Sequence, residues 1–145
     1  MKRNSFTRLL SLLSALCLLG MLFIGCEKKS VNGTCTVVLA GDPETEYTVD
    51  LDDLTVDNGL FSVLDHLSLH YHENGGMLTE VESVKQDTAA GIYVYLWTSV
   101  EADQDVSEYK STKVYGDLTL VSAGIGAKDM TITDGAVIYI GTVAW

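Results

Sequence analysis

Residues 91–100 constrain the fold more than any other part of this 145-residue chain. The run Gly-Ile-Tyr-Val-Tyr-Leu-Trp-Thr-Ser-Val contains no proline and no charge, and it is rich in the β-branched and aromatic residues that favour strands. Side chains alternate between the two faces of a strand. One face is therefore aliphatic and predicts packing beneath a helix. The other face is aromatic and predicts a second apolar layer, or a surface for a ligand or partner; it consists of Tyr93, Tyr95 and Trp97.

The first 26 residues predict a lipoprotein signal peptide. Three basic residues precede an apolar run over 9–24 that has no acidic residue, and residues 22–26 resemble a bacterial lipobox ending in Cys26. We expect Cys26 to be lipidated, residues 27–33 to act as a tether, and residues 34–145 to form one domain held at the cell membrane, facing away from the cytoplasm. An ordinary signal peptide or a retained membrane anchor is the alternative.

The net charge limits the possible binding partners of the domain, and the cysteine content limits its possible disulfides. All 20 acidic residues but only six of the nine basic ones follow Cys26, which gives that part a formal net charge of −14. So acidic a domain is unsuited to nucleic acid or to anionic lipid surfaces. Cys35 is then the lone cysteine of the domain, so an intramolecular disulfide is excluded and we expect a buried thiol.

The remaining pattern predicts an α+β fold. A helix over residues 62–71 is indicated by apolar residues at helical spacing and by Ser62 and Asp65, which form a capping-box pattern. We expect residues 101–112 to form an acidic loop and residues 122–126 a glycine-rich bend. A strand hairpin, one helix and further strands predict a mixed sheet with the helix packed on one face. By analogy with β-grasp domains, which have the order β-β-α-β-β-(β)-β, we expect this sheet to be β-grasp-like. Strands are predicted over residues 34–40, 47–51, 78–84, 92–100, 118–121, 130–132 and 136–143.

The histidines offer the clearest metal chemistry. His66 and His70 are four residues apart, so on one helix they would lie on the same face at a spacing that chelates Zn²⁺ or Cu²⁺. The alternative is a solvated polar face opposite the apolar stripe. No nucleophile is paired with a base in a recognisable motif, and we therefore predict no catalytic residues and no enzyme.

Two motifs resemble a known family. Phe61-Ser62-Val63-Leu64-Asp65 and the central strand of residues 91–100, together with Asp134-Gly135 near the end, are similar to the C-terminal β-grasp domain of transcobalamin-type proteins, a domain found on bacterial surface lipoproteins. The resemblance implies a corrinoid such as cobalamin as the ligand, without a resident cofactor. It also departs from that family, because the helical domain that holds the other face of cobalamin is absent here.

Three functions follow as hypotheses. The leading one is a membrane-tethered lipoprotein that binds a small ligand, which the resemblance narrows to a corrinoid. The second is a structural or protein-interaction module of the cell envelope, and the third is metal capture through His66 and His70. For the leading hypothesis we expect the ligand to contact the aromatic face and the glycine-rich bend, at Tyr93, Tyr95, Trp97, Ser122, Ala123 and Gly124.

Overall fold

The computed structural model describes residues 31–145. The predicted signal peptide, the lipidation site Cys26 and the first residues of the tether lie outside the described residues. Within residues 31–145, no helix has the length and apolar character needed to cross a membrane.

The fold of this part of the chain is α+β, as predicted, with one α-helix and nine strands. The elements are β1 (Thr34–Leu39), β2 (Thr45–Asp50), α1 (Leu60–His66), β3 (Tyr71–Asn74), β4 (Met77–Val81), β5 (Val84–Lys85), β6 (Ile92–Thr98), β7 (Thr112–Tyr115), β8 (Leu118–Ser122) and β9 (Val137–Ala144).

The strands form a large sheet and a small one. The large sheet has the order β2-β1-β9-β6-β8-β7, in which β1 and β9 are parallel and every other neighbouring pair is antiparallel. The small sheet is the antiparallel set β3-β4-β5. The predicted strand over residues 92–100 lies inside the large sheet as β6, where β9 pairs with it along its whole length.

Two hydrophobic cores lie on opposite faces of the large sheet. The main core packs Val37, Ile138 and Ile140 of the sheet against Leu60 and Leu64 of α1 and against the small sheet. Val94 and Leu96 of β6 border this core and are half-buried. The second core lies on the aromatic face of β6 and is built around Val38, Trp97, Leu120, Val137 and Tyr139.

The helix is shorter than the predicted range 62–71. It begins after Gly59, whose positive φ and close approach to the backbone of Lys128 leave no room for a side chain. Ser62 lies within the helix and accepts a hydrogen bond from the N–H of Asn58 (3.0 Å), so the predicted capping box is not formed.

The helix ends because Ser68 adopts a left-handed conformation (φ 56°). The N–H groups of Ser68 and Leu69 then bond back to the carbonyls of Asp65 and Leu64, which is the Schellman arrangement that closes helices. Helices that end in this way usually have glycine at the left-handed position. Because position 68 is a serine, the sequence did not indicate that the helix ends there. Tyr71 consequently belongs to β3.

Three strand predictions also need correction. The strand predicted over 78–84 is a hairpin, because Glu82 takes a left-handed φ of 51° between β4 and β5. Residues 130–132 are not a strand, since the N–H of Thr131 bonds to the side chain of Asp103 instead of a ladder. The predicted loop 101–112 ends where β7 begins, a strand that its polar sequence did not reveal. The strands predicted at 34–40, 47–51, 118–121 and 136–143 are confirmed within one or two residues.

Candidate functional site

The aromatic face of β6 is largely covered. Trp97 is only 6% exposed and makes edge-to-face contacts with Tyr95 and Tyr139 at centroid distances of 5.0 and 5.9 Å. Its indole N–H donates to the hydroxyl of Ser111 at 3.0 Å. A buried indole with a satisfied N–H is a core residue. Tyr93, which is 40% exposed, remains accessible on this face.

Two tyrosines complete the cover on this side. Burial, followed by a hydrogen bond with Glu44, raises the pKa of Tyr139 to about 12. A hydrogen bond to Glu46, followed by burial, raises the pKa of Tyr115 to about 12. The ammonium group of Lys113 lies 4.4 Å from the ring centroid of Tyr139. Both phenols are neutral at physiological pH, and the aromatic cluster functions as packing.

A groove of about 400 Å³ runs along one edge of β6. Its floor is the half-buried stretch Val94–Leu96, one wall is formed by Met77 and Leu78 of β4, and the other wall is the glycine-rich bend of residues 123–126. The size lies within the range of small-molecule sites, and most of the lining side chains are apolar. Met77, 65% exposed, stands at the rim.

The small sheet packs beside the aliphatic face of β6 at the groove. The sequence predicted a longer helix lying over Val94 and Leu96. The helix is only seven residues long, roughly 10 Å, and packs in the main core, whereas β4 and β5 contact β6 and leave Val94 and Leu96 half-buried.

The glycine-rich bend is shaped by close backbone contacts. The N–H of Ala123 still bonds to the carbonyl of Leu96 (2.8 Å), whereas the N–H of Gly124 turns to the carbonyl of Asp103 (2.8 Å). A Cβ on Gly124 would lie 3.1 Å from the Cα of Asp105, and one on Gly126 would lie 2.9 Å from the carbonyl oxygen of Gly76. The chain therefore leaves the edge of β6 at residue 123, and the bend forms a wall.

The edge of β6 that faces this wall carries unpaired backbone groups. Bonds from Trp145 N–H to Gly91 and from Ser99 N–H to Val137 show that the odd-numbered residues of β6 bond to β9, so the even-numbered ones point the other way. Ile92 is paired with Asp87, and the carbonyl of Leu96 accepts from Ala123. Between them, within residues 31–145, the N–H and C=O of Val94 and the N–H of Leu96 have no hydrogen-bond partner.

Among the residues that line the groove, Asp105 has the acidic side chain. Its carboxylate accepts hydrogen bonds from the N–H (2.8 Å) and the hydroxyl (3.0 Å) of Ser107. Its position is fixed by the loop beside β8, because Gln104 bridges to Ala123 and the N–H of Asp105 bonds to the carbonyl of Ser122 (2.7 Å). A carboxylate has more acceptor sites than these two bonds occupy, so Asp105 can still meet a cationic group.

The six predicted ligand-contact residues are divided by the structure. Tyr95, Ala123 and Gly124 line the groove. Tyr93 and Trp97, which share the aromatic face of β6 with Tyr95, do not line the groove. Ser122 is fully buried, and its hydroxyl accepts a hydrogen bond from the N–H of Ser111 (3.0 Å). Sequence reasoning missed Met77 and Asp105. Met77 was marked only as an apolar residue after a glycine turn, and Asp105 only as one acidic residue of the predicted loop. Ile125 lies in the glycine-rich bend that was predicted to contact the ligand.

The histidines do not form the predicted helical pair. His66 is the last residue of α1, whereas His70 lies beyond the helix end. The ring of His70 instead meets that of His72, at a centroid distance of 4.9 Å and an interplanar angle of 82°. Glu82 accepts from the N–H of His70, and Glu80 lies opposite His72 in the sheet. In residues 31–145 no group of three or more His, Cys, Asp or Glu side chains is arranged to hold a metal ion.

Cys35 is buried in the main core, as expected. Burial raises the pKa of its thiol to about 11, which keeps it protonated and unreactive.

A second, polar depression of about 340 Å³ lies near Phe61, Tyr71 and Lys128. Its lining is more polar than that of the groove, and two of its polar side chains are already engaged: the hydroxyl of Tyr71 donates to Asp65 (3.0 Å), and Glu73 accepts from the N–H of Gly76 (2.8 Å). The groove beside β6 is therefore the better candidate site.

Comparison with known proteins identifies a similar fold. The chain matches no protein-family profile, and no curated protein is similar to it. Among solved structures, it is similar to the crystal structure of a "putative metal binding protein" from Ruminococcus gnavus ATCC 29149, with a TM-score of 0.51 and 15% sequence identity over 79% of this chain and 99% of that one. At this identity the likeness establishes a shared α+β fold and nothing about the site.

Proposed function

We propose that this protein is a membrane-tethered lipoprotein, anchored through Cys26 outside the cytoplasm, which binds a small, largely apolar ligand in the groove beside β6. The observation that carries this proposal is the groove itself: about 400 Å³, an apolar lining, and backbone polar groups of β6 that face into it. Sites of this kind combine apolar walls with a few polar groups that orient the ligand. The proposal assigns binding rather than catalysis.

A narrower form of the proposal concerns the family. The order β2-β1-β9-β6, with a parallel central pair and a helix on one face, supports a β-grasp assignment and with it the transcobalamin-type resemblance. A corrinoid is the ligand that this resemblance implies. Corrinoids are larger than the drug-sized ligands that a groove of 400 Å³ encloses, so this groove would cover one edge of the macrocycle.

The proposal is tested by calorimetric titration of the detergent-purified full chain with cobinamide and cobalamin, and by fluorescence titration with the neutral apolar probe Nile red. Met77→Glu places a charge at the exposed rim without disturbing the core, and Val114→Glu on β7 is the matched control, since Val114 is 70% exposed and remote from the groove lining. We expect Met77→Glu to weaken probe binding at least about fivefold, roughly 1 kcal/mol, and Val114→Glu to leave it unchanged. Equal affinities of the two variants would place binding elsewhere.

A second candidate function is divalent-metal binding by His70 and His72. The contact between their rings supports it, as does the name of the similar Ruminococcus gnavus protein. Two imidazoles suit Cu²⁺ or Zn²⁺, and water would complete the coordination, because no third His, Cys, Asp or Glu of residues 31–145 is arranged to join them.

The metal candidate is tested by titrating the full chain with Cu²⁺ and Zn²⁺. We expect His72→Ala to lower affinity at least about tenfold and His66→Ala, at the exposed end of α1, to have no effect. Equal losses in the two variants would remove this candidate.

A further inference from the structure

We propose that the ligand of the groove is an extended polypeptide segment with a basic residue, which adds to the large sheet as a short strand along the free edge of β6. This inference rests on the proposed function and names its ligand class. It is carried by the unpaired backbone groups, by the way the groove follows the strand, and by the charge at its lining.

The free edge has the spacing of a strand partner. The N–H and C=O of Val94 and the N–H of Leu96 point into the groove from alternate residues, as they do along any antiparallel or parallel ladder. The interval from Ile92 to Leu96 corresponds to roughly 13 Å of strand, enough for a segment of about three residues. A peptide is the ligand whose amides repeat at this spacing, so that donors and acceptors alternate in the same way.

The groove lining agrees with this mode. Val94, Tyr95 and Leu96 all line it although their side chains alternate between faces of the sheet, because the groove runs along the edge of the strand. A strand that binds there would meet Leu78 and Met77 of β4 with one set of its side chains, and the glycine-rich bend with its backbone. The bend offers little side-chain bulk at Gly124 and Gly126 to obstruct an approaching chain.

Charge complementarity selects the basic residue. Asp105 is the ionised side chain in the lining, and the chain that follows Cys26 has a net charge of −14. An acidic segment would be repelled, whereas a lysine or arginine would approach with a favourable field and would meet the carboxylate of Asp105.

The test uses blocked pentapeptides acetyl-Thr-Val-Lys-Val-Thr-amide and acetyl-Thr-Leu-Lys-Leu-Thr-amide with the full chain. Hydrogen exchange of the ¹⁵N-labelled protein, followed by NMR, is measured with and without peptide. We expect the amides of Val94 and Leu96 to gain protection on binding. Those of Tyr93 and Tyr95 serve as internal controls with little change, because they are already bonded to β9.

Two peptide derivatives then test the hydrogen bonds directly. One carries an N-methyl group on the central lysine, and the other carries N-methyl groups on both flanking aliphatic residues. Alternate amides of a bound strand point toward and away from β6, so we expect one derivative to lose at least about fivefold in affinity and the other to bind like the parent. Replacing lysine by glutamate should weaken binding, and Asp105→Asn should reduce that difference.

The outcomes separate this inference from the proposed function. If Met77→Glu weakens Nile red or cobinamide binding but no peptide binds up to its solubility limit, or if both methylated peptides bind like the parent, the groove is a ligand site and strand addition is refuted. If the amides of Val94 and Leu96 gain protection only with rising protein concentration and not with peptide, the free edge pairs with a second copy of this chain and the inference is also refuted. If Met77→Glu changes the affinity for none of the probes, the proposed function itself is refuted.

Discussion

Replacing Asp103 by alanine should cost this domain a large share of its stability. Asp103 is 3% exposed, and its carboxylate accepts two hydrogen bonds from Thr131, one from the N–H (2.6 Å) and one from the hydroxyl (2.8 Å). These bonds tie the loop after β6 to the segment before β9, where no ladder holds the chain. The predicted perturbation therefore acts on a connection between two loops.

The magnitude follows from the two bonds. Hydrogen bonds to a charged acceptor contribute about 1.5–3 kcal/mol each, which gives about 3–6 kcal/mol if both donors were left unsatisfied. Thr131 is half-buried and can recover part of this from water, so we expect a loss of about 3 kcal/mol in the free energy of unfolding. For a domain of this size the melting temperature should fall by about 10 °C. Asp103→Asn keeps one acceptor oxygen and should lose about half as much.

The assay is urea unfolding of each variant followed by circular dichroism, with Asp117→Ala as the control because Asp117 is an exposed acidic residue in the turn between β7 and β8. If Asp103→Ala unfolds at the same urea concentration as Asp117→Ala, the loop connection contributes nothing measurable and the reasoning is refuted.

Three further perturbations test the fold. Trp97→Ala should destabilise the domain by about 3–5 kcal/mol through the cavity it leaves, whereas Trp145→Ala, at a residue 76% exposed, should stay within about 0.5 kcal/mol in the same urea assay. Ser68→Gly should increase the free energy of unfolding by up to about 1 kcal/mol, and raise the melting temperature slightly, because glycine adopts the left-handed conformation at the helix end without strain. An unchanged or lower melting temperature would contradict this. Burial raises the pKa of the Cys35 thiol to about 11, so the protonated thiol favours the folded state. This contribution to stability is complete below the ordinary thiol pKa near 9 and is lost as pH rises through about 11. Between these two pH values, the stability of Cys35→Ala should therefore fall less steeply with pH than that of the native chain.

The sequence predicted the elements that one strong pattern determines. The apolar residues of β1 and the long apolar runs of β6 and β9 define the centre of the large sheet, and the turn at Asp134-Gly135 fixes where β9 begins. Each of these depends on local composition, which a single sequence contains.

The errors have two physical causes. The helix end at Ser68 and the turn at Glu82 each need a left-handed residue that composition does not mark. The loss of a strand at residues 130–132 follows instead from a contact between distant segments, the bond between Thr131 and Asp103, 28 residues apart. The short β7 is defined by pairing with β8 rather than by its own apolar pattern.

Only part of the candidate site could be predicted from the sequence, because the rest depends on how distant segments pack. The glycine-rich bend and the importance of β6 were visible in the sequence, and Ala123 and Gly124 do line the groove. Which part of β6 stays open was not visible, because it depends on how the small sheet packs beside β6 and on Tyr139 covering Trp97 from another strand. The unpaired edge at Val94 is likewise a property of sheet pairing, which a single strand does not reveal.

The measurement that tests the account most directly is NMR mapping of backbone amide shifts in the ¹⁵N-labelled full chain, titrated with Nile red, cobinamide and the basic pentapeptides. We expect bound ligand to shift the amide signals of the groove residues Leu78, Val94, Leu96 and Gly124. The amide signals of Val38 and Leu120 in the second core should remain unchanged. Shifts centred on Tyr93 and Trp145 instead would place recognition on the aromatic face and would contradict the groove as the binding site.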